Sequence, residues 1–285
     1  MELAKLKKED FPLQLLEIPE PPKDLWLLGD LPSPETTLLT IVGARKHSPY
    51  GKEACESLIA GLAGYDITIV SGLALGIDAL AHRSAMKAGL KTLAVPGSGL
   101  NERVLYPRTN IGLAREIVRN GGGLLSEFAP DTPAAPWTFP MRNRIMAGLA
   151  QATLVIEAEQ RSGTLITSRL ATDYNRDVFA VPGSIFSPLS AGPNMLITLG
   201  ATPIHEGKDI LRALGFSVSD EVVQEKDYSH LSEIEQRVLR FLSVEKLRDE
   251  LFAELNLSAS EGNVLLMKME IAGLIMDSPL GIRRA

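Results

Sequence analysis

One cysteine and four histidines in 285 residues remove whole classes of chemistry at the outset. Cys55 has no second thiol to pair with, so an internal disulfide is excluded and no cysteine cluster remains for zinc. His47, His82, His205 and His230 are scattered without ligand spacing, and each reads as a hydrogen-bonded structural residue, so no metal site is expected. No apolar run reaches the ~18 residues that a transmembrane helix needs. The opening Met1–Asp10 lacks the apolar core of a signal peptide, and the expectation is a cytoplasmic protein. There is no basic surplus either: 29 Lys and Arg stand against 35 Asp and Glu, a net charge of −6. On its own that balance argues against nucleic acid as a partner, since duplex binders usually carry a basic excess, although a local patch suffices to meet phosphates. Aromatic residues are 5% of the chain, so any base-stacking platform must be small.

Catalytic signatures are missing as well. Gly-x-x-x-x-Gly-Lys-[Ser/Thr] is absent, which excludes a P-loop ATPase, and no Gly-x-Gly-x-x-Gly opens the first helix. Ser71, Ser162 and Thr164 offer hydroxyls, but none has a general base in its neighbourhood of sequence. Nothing assembles an active site. The residues read as a binding protein that is not an enzyme and needs no cofactor.

What is present is an ordinary globular composition, 45% apolar and 22% charged, with length for one large domain and a small one. Residues 1–37 form a proline-rich lead-in packed on the core, with Trp26 in Leu25-Trp-Leu-Leu28 as its expected anchor. From Leu38 to Phe216, short β-prone runs alternate with helix-length segments. The runs are Leu38–Val42, Ile67–Val70, Thr92–Val95, Leu124–Leu125, Thr153–Ile156 and Val178–Val181. Helices are expected at Gly51–Ala63, Asp78–Ala88, Ile111–Arg119, Asn143–Ala150 and Leu165–Tyr174. Alternation of this kind predicts an α/β domain with a doubly wound, mostly parallel sheet. Residues 217–228 are polar and acidic and read as a linker. Residues 229–285 carry three short helix patterns and a β-prone tail, a small helix-turn-helix or winged-helix unit. Its third helix holds one lysine and two acids in Glu261–Glu270, which favours a protein-contact role over reading a DNA groove.

Open α/β sheets bind ligands outside the carboxyl ends of their strands, and the loops expected there are rich in glycine. Gly43 with Arg45 and Lys46 follows the first run, Ser71-Gly72 the second, and Ser162-Gly163-Thr164 a later one. Such loops bring backbone N–H groups close to a phosphate. The segment Trp137-Thr-Phe-Pro-Met-Arg-Asn-Arg144 adds Arg142, Asn143 and Arg144 in the first turn of a helix, where the dipole is already positive. A bound phosphate would compensate two cations there, and so would a carboxylate such as Glu127, Glu157 or Glu159. Arg142 and Arg144 lie on nearly opposite sides of the helix, so one residue can serve each purpose. Phe139 reads equally as a stacking face or as a core plug beneath that turn. Cations, close backbone and one π-face together suit single-stranded nucleic acid.

Several linked blocks resemble a known family. Val42-Gly-Ala-Arg-Lys-His-Ser-Pro-Tyr-Gly51, Ser71-Gly-Leu-Ala-Leu-Gly-Ile-Asp-Ala-Leu-Ala-His82 and Phe139-Pro-Met-Arg-Asn-Arg-Ile-Met-Ala-Gly-Leu149 are similar to signature blocks of the DNA-processing protein A (DprA/Smf) family. So are Ser162–Thr167, Arg176–Ser184 and Gly192–Ile197, in order from about Phe11 to about Leu211. The resemblance implies an extended Rossmann-like domain that binds single-stranded DNA, forms a homodimer and loads the RecA recombinase onto incoming DNA during natural transformation. By motif position it implies that Arg45, Phe139 and Arg142-Asn143-Arg144 contact DNA or form its pocket, with Gly43, Ser71-Gly72 and Ser162-Gly163-Thr164 as the wall. Leu75 stands where many relatives have arginine, and Ala134-Ala135-Pro136 where relatives often carry lysine. The chain also begins without the N-terminal helical domain of many members. Two rivals stay open. A nucleoside-monophosphate phosphoribohydrolase of the lysine-decarboxylase-like family would need a glutamate where Thr167 stands, and a non-catalytic scaffold would act through the C-terminal unit.

Overall fold

In the computed structural model, residues 3–218, 228, 231–242, 245–278 and 281–284 are described. The chain divides into two compact units between Val218 and Ser219. Most of the expected linker, 219–227, lies outside the described residues.

The first unit is built on a nine-stranded sheet in the order β1-β2-β6-β5-β4-β3-β7-β8-β9. Its strands are β1 Leu3–Lys5, β2 Trp26–Gly29, β3 Thr37–Val42, β4 Ile67–Ser71, β5 Lys91–Ala94, β6 Gly123–Ser126, β7 Ala152–Val155, β8 Asp177–Ala180 and β9 Thr202–Pro203. From β6 to β9 every pairing is parallel, whereas β1 and β2 join antiparallel at the edge. The helices are α1 Leu13–Leu16, α2 Pro49–Ala60, α3 Ile77–Lys87, α4 Ile111–Arg119, α5 Thr138–Leu149, α6 Thr164–Asp173, α7 Ala191–Thr198 and α8 Gly207–Ala213. This is the doubly wound, mostly parallel α/β sheet that the alternation predicts.

Parallel strands covered on both faces are apolar throughout, and β3 shows how the alternation of side chains sorts the layers. Leu39 and Ile41 enter a core with Leu58 and Ile59 of α2, Ala81 and Ala85 of α3, and Ile210 and Leu211 of α8. Leu38 and Val42 enter the opposite core with Ile145, Met146 and Leu149 of α5. Thr40 points to the α5 side too, and its hydroxyl is satisfied by donating to the Met146 carbonyl at 2.8 Å.

The proline-rich lead-in does more than pack. It supplies the two antiparallel edge strands and four fully buried anchors, Phe11, Leu15, Ile18 and Leu25. Trp26, the expected anchor, is only half-buried and lies under the Lys5 ammonium at 5.6 Å. Leu25 is buried in the core on the α5 side, while Trp26 packs at the margin of the core formed with α4.

Helix α5 begins five residues before the expected Asn143, because Thr138 ties its first turn to the Gly97 carbonyl at 2.6 Å. The second unit contains α9 Glu233–Phe241, α10 Arg248–Leu255 and α11 Ala259–Ile271, then an antiparallel hairpin of β10 Ile275–Ser278 and β11 Gly281–Arg284. Ser258 and Glu261 form a capping box at the start of α11. Val238, Leu251, Phe252, Leu266, Met269 and Ile282 form a separate small core.

His82, on α3, is fully buried, with Nδ1 2.7 Å from the Thr92 hydroxyl, which itself donates to the Ile69 carbonyl. Thr92 therefore accepts from Nδ1–H. Burial, reinforced by the Arg142 charge, pushes the imidazole down to about 3. An unfolded histidine takes up its proton near pH 6.5 while the native one does not, so this stability is complete above about pH 6.5 and is lost as pH falls toward 3. We expect the urea midpoint to fall below pH 6.5 and His82→Gln to flatten that fall by up to about 1.4 kcal/mol per pH unit. Identical pH slopes for the two proteins would rule this out.

Candidate functional site

The chain runs outward from β3 through β4, β5 and β6, then returns to the other side of β3 to place β7, β8 and β9. The reversal lies between β3 and β7, and in open α/β sheets the crevice beyond such a reversal is where ligands bind. The loop after β3 contains Gly43–Ser48 and the loop after β7 runs from Glu157 into α6. A cavity of about 610 Å³ lies between them, closed on a third side by the start of α5. Gly43, Arg45, Lys46, Phe139, Arg142, Asn143, Ser162, Gly163 and Thr164 all line it. Ser71, Gly72 and Arg144 do not. The two flanking loops are tied together by the Thr164 hydroxyl donating to the Gly43 carbonyl at 3.2 Å.

The three residues outside the cavity have other partners. Ser71 is fully buried, and its hydroxyl donates to the Ile41 carbonyl at 2.6 Å across β3 and β4. Arg144 pairs with the Glu127 carboxylate and donates to the Glu20 carbonyl, holding α5 against the lead-in. Burial holds the Glu127 carboxyl above its usual range, while the Arg144 charge pulls it back. The carboxylate alternative raised by the sequence therefore applies to Arg144, through Glu127, and also to Arg142, through Asp78. Gly72 has a steric role: a Cβ there would fall 1.3 Å from Arg142 Nη1 and 2.6 Å from Asp78 Oδ2. The guanidinium crosses the space that any larger side chain would fill.

Arg142 reaches the cavity wall from inside the fold. Its side chain is 7% exposed, and Nη1 lies 3.7 Å from Asp78 Oδ2 and 3.1 Å from Met146 Sδ. Burial pushes the Asp78 carboxyl up and Arg142 pulls it down, and burial in turn pushes Arg142 down. Asp78, in the first turn of α3, also accepts from the Ala74 N–H at 3.4 Å, which fixes the β4–α3 loop. Arg142 Nε is a buried donor without a hydrogen-bond partner among the described residues. Arg45 and Lys46 are exposed at the mouth, and Arg45 Cζ stands 5.6 Å from the centroid of the Phe139 ring. Phe139 is half-buried and rests on Gly97, where a Cβ would come within 2.6 Å of the ring. Glu159 is the exposed acid of the lining, and Arg161 lies outside it.

The amino end of α2, where this topology ordinarily receives a phosphate, is closed by the protein itself. Ser48 caps the helix by accepting from the Gly51 N–H at 3.1 Å. The buried Glu157 carboxylate accepts from the Ser48 N–H at 2.9 Å and from its hydroxyl at 2.5 Å. No signal in the sequence beyond the isolated acid of Glu157-Ala-Glu159 marks this closure. Among the described residues, no group of three or more His, Cys, Asp or Glu could hold a metal.

The profile of the DNA recombination-mediator protein A family matches residues 2–215. The chain belongs to that family. It is 42% identical to protein Smf of Escherichia coli over 210 residues, 74% of this chain and 56% of the relative, so the match spans about half of that protein's length. It is 42% identical to DNA processing protein DprA of Streptococcus pneumoniae over 206 residues, 72% of each. The crystal structure of the S. pneumoniae protein superposes with a TM-score of 0.70 at 40% identity, covering 76% of this chain and 75% of that one. DNA processing protein A of Helicobacter pylori, whose structure addresses its single-stranded DNA binding mode, superposes with a TM-score of 0.66 at 29% identity. It covers 75% of this chain and 95% of that one. The family match ends at residue 215, three residues before the first unit ends at Val218.

Sequence reasoning missed Tyr106. It lines a shallow recess beside the cavity with Gly72 and Leu75, and its ring centroid is 5.8 Å from that of Phe139. Tyr106-Pro107 lies between strands with no glycine signal and is brought to the site only by the fold.

Gly72→Ala tests the steric account. It should cost about 1–3 kcal/mol in the wild type, as overpacking does. In an Arg142→Ala background it should add little, since the clashing guanidinium is gone. Equal costs in the two backgrounds, read from urea midpoints, would contradict this role.

Proposed function

We propose that this chain binds single-stranded DNA in the crevice between the β3 and β7 loops, as a recombination mediator that protects incoming DNA. The observation that carries the reading is the Arg45–Phe139–Arg142 arrangement at the switch point. An exposed cation sits over an aromatic ring, and a buried cation is set in the wall behind it. The exposed guanidinium and Lys46 suit phosphates, the ring suits a base, and no groove-reading helix is required. Asn143, Ser162, Gly163 and Thr164 supply polar groups and backbone along the same wall. Membership of the family and the H. pylori relative's single-strand binding support the assignment.

On the same reading the protein is not an enzyme, works in the cytoplasm as a homodimer and loads the RecA recombinase during natural transformation. Among the described residues no helix is long and apolar enough to cross a membrane. The hydrolase alternative loses support at Thr167, which is buried and lines the cavity where a catalytic glutamate would be needed. The second unit, with three helices and a hairpin, is winged-helix-like in its element order. Its α11 exposes Val264, Met267 and Ile271, an apolar character that fits protein contact better than phosphates.

Fluorescence anisotropy with labelled oligo-dT and a matched duplex, across a salt series, tests the proposal. Tight, salt-dependent preference for the single strand is expected. Arg45→Ala should weaken binding several-fold and lower the log–log salt slope by about 0.7, one phosphate contact on a single strand. A variant ending before residue 229 should retain most of the affinity, whereas RecA loading on coated strands should require the full chain. Equal affinity for both DNA forms would remove the single-strand reading, and release of free base from nucleoside monophosphates would favour the hydrolase.

A further inference from the structure

We infer that Tyr106 supplies the open stacking face of the site, so that the single strand passes from the cavity over the β5 side of Phe139. This rests on the single-strand reading above. The Phe139 ring already has three neighbours: Gly97 beneath it, the Arg45 guanidinium over it at 5.6 Å, and Tyr106 beside it at 5.8 Å. A base that stacks on the face of Phe139 under Arg45 has to displace that guanidinium. Tyr106 is 45% exposed, and among the described residues its hydroxyl makes no hydrogen bond. A half-exposed ring beside Phe139 offers aromatic surface on which a base can stack.

Its position continues the proposed binding surface. The recess it lines shares Arg45, Ala74, Phe139 and Arg142 with the main cavity, so the two are one groove in which the Phe139 side chain is the divide. The recess is too small to hold a nucleobase, so a base must lie over the phenol, stacked on it from the solvent side. Tyr106 and Phe139 meet at 60°, a tilt that directs the two rings to different bases instead of one. Leu75 borders the same recess and is 47% exposed, giving an apolar floor where a charged side chain would have favoured backbone contact. With Arg45 at the divide, phosphates are met there and bases on either side.

The full-length chain, oligo-dT and an abasic oligodeoxynucleotide of the same length and charge provide the test. Tyr106→Leu should lower oligo-dT affinity about 5- to 150-fold, the range for loss of one stacked base. Its salt slope should stay unchanged, because no phosphate contact is lost. On the abasic strand the difference between wild type and Tyr106→Leu should vanish, which a general weakening of the fold would not produce. Tyr106→Trp should bind oligo-dT at least as tightly as the wild type, and it carries the test if the leucine variant does not fold. If the wild type binds oligo-dT and Tyr106→Leu binds it equally well, or if the loss persists on the abasic strand, the stacking role is overturned while the DNA-binding reading stands. If Tyr106→Trp binds oligo-dT more weakly than the wild type, the stacking role is likewise overturned. A wild type that binds neither strand overturns both.

Discussion

The ion pair between Asp78 and Arg142 is the constraint on which the site depends. Two nearly buried charges from different helices face each other at 3.7 Å in the wall of the crevice. Removing either partner would leave the other charged and dry, which is why such pairs are strongly coupled even when their net contribution is small. The pair clamps the start of α3 to the first turns of α5, and Gly72 is what lets them approach. Asp78 also holds the β4–α3 loop through Ala74, so one carboxylate positions both that loop and the α5 wall of the cavity.

The site therefore has two kinds of cation. Arg142 and Arg144 are bound into the scaffold by Asp78 and Glu127 and fix geometry. Arg45 and Lys46 are exposed on the β3 loop and are free to follow a ligand. A chain with net charge −6 can present a positive face in this way, because the acids near the crevice are largely committed to inward-facing partners.

Much of this was legible before any coordinates. The alternation of apolar runs gave the parallel sheet because strands buried on both faces cannot be polar. The glycine-rich loops marked the rim because close backbone approach demands them. The residues that failed as expected contacts failed for local reasons a linear pattern does not carry. Which carboxylate each of Arg142 and Arg144 meets depends on the acids that α3 and the segment after β6 bring near, and Ser71 is consumed by the neighbouring strand, thirty residues away in sequence. The edge strands β1 and β2 were hidden by prolines on either side, and Trp26 drew attention from Leu25, the residue that is buried. Tyr106 carried no motif of its own and became visible only beside Phe139.

The Glu157 plug at the amino end of α2 has a consequence for competition inside a cell. Free nucleotides carry a terminal phosphate dianion and are abundant. A doubly wound sheet with an open helix terminus would hold them in the place meant for a polymer. Here that terminus already faces a fixed carboxylate, and Gly51 leaves room for nothing else, since a Cβ would lie 2.2 Å from Glu157 Oε2. A single phosphate gains little on arrival. On the proposed single-strand reading, a strand that lays several phosphates and bases along the groove would gain from each in turn, and chain length itself would become the quantity being recognised.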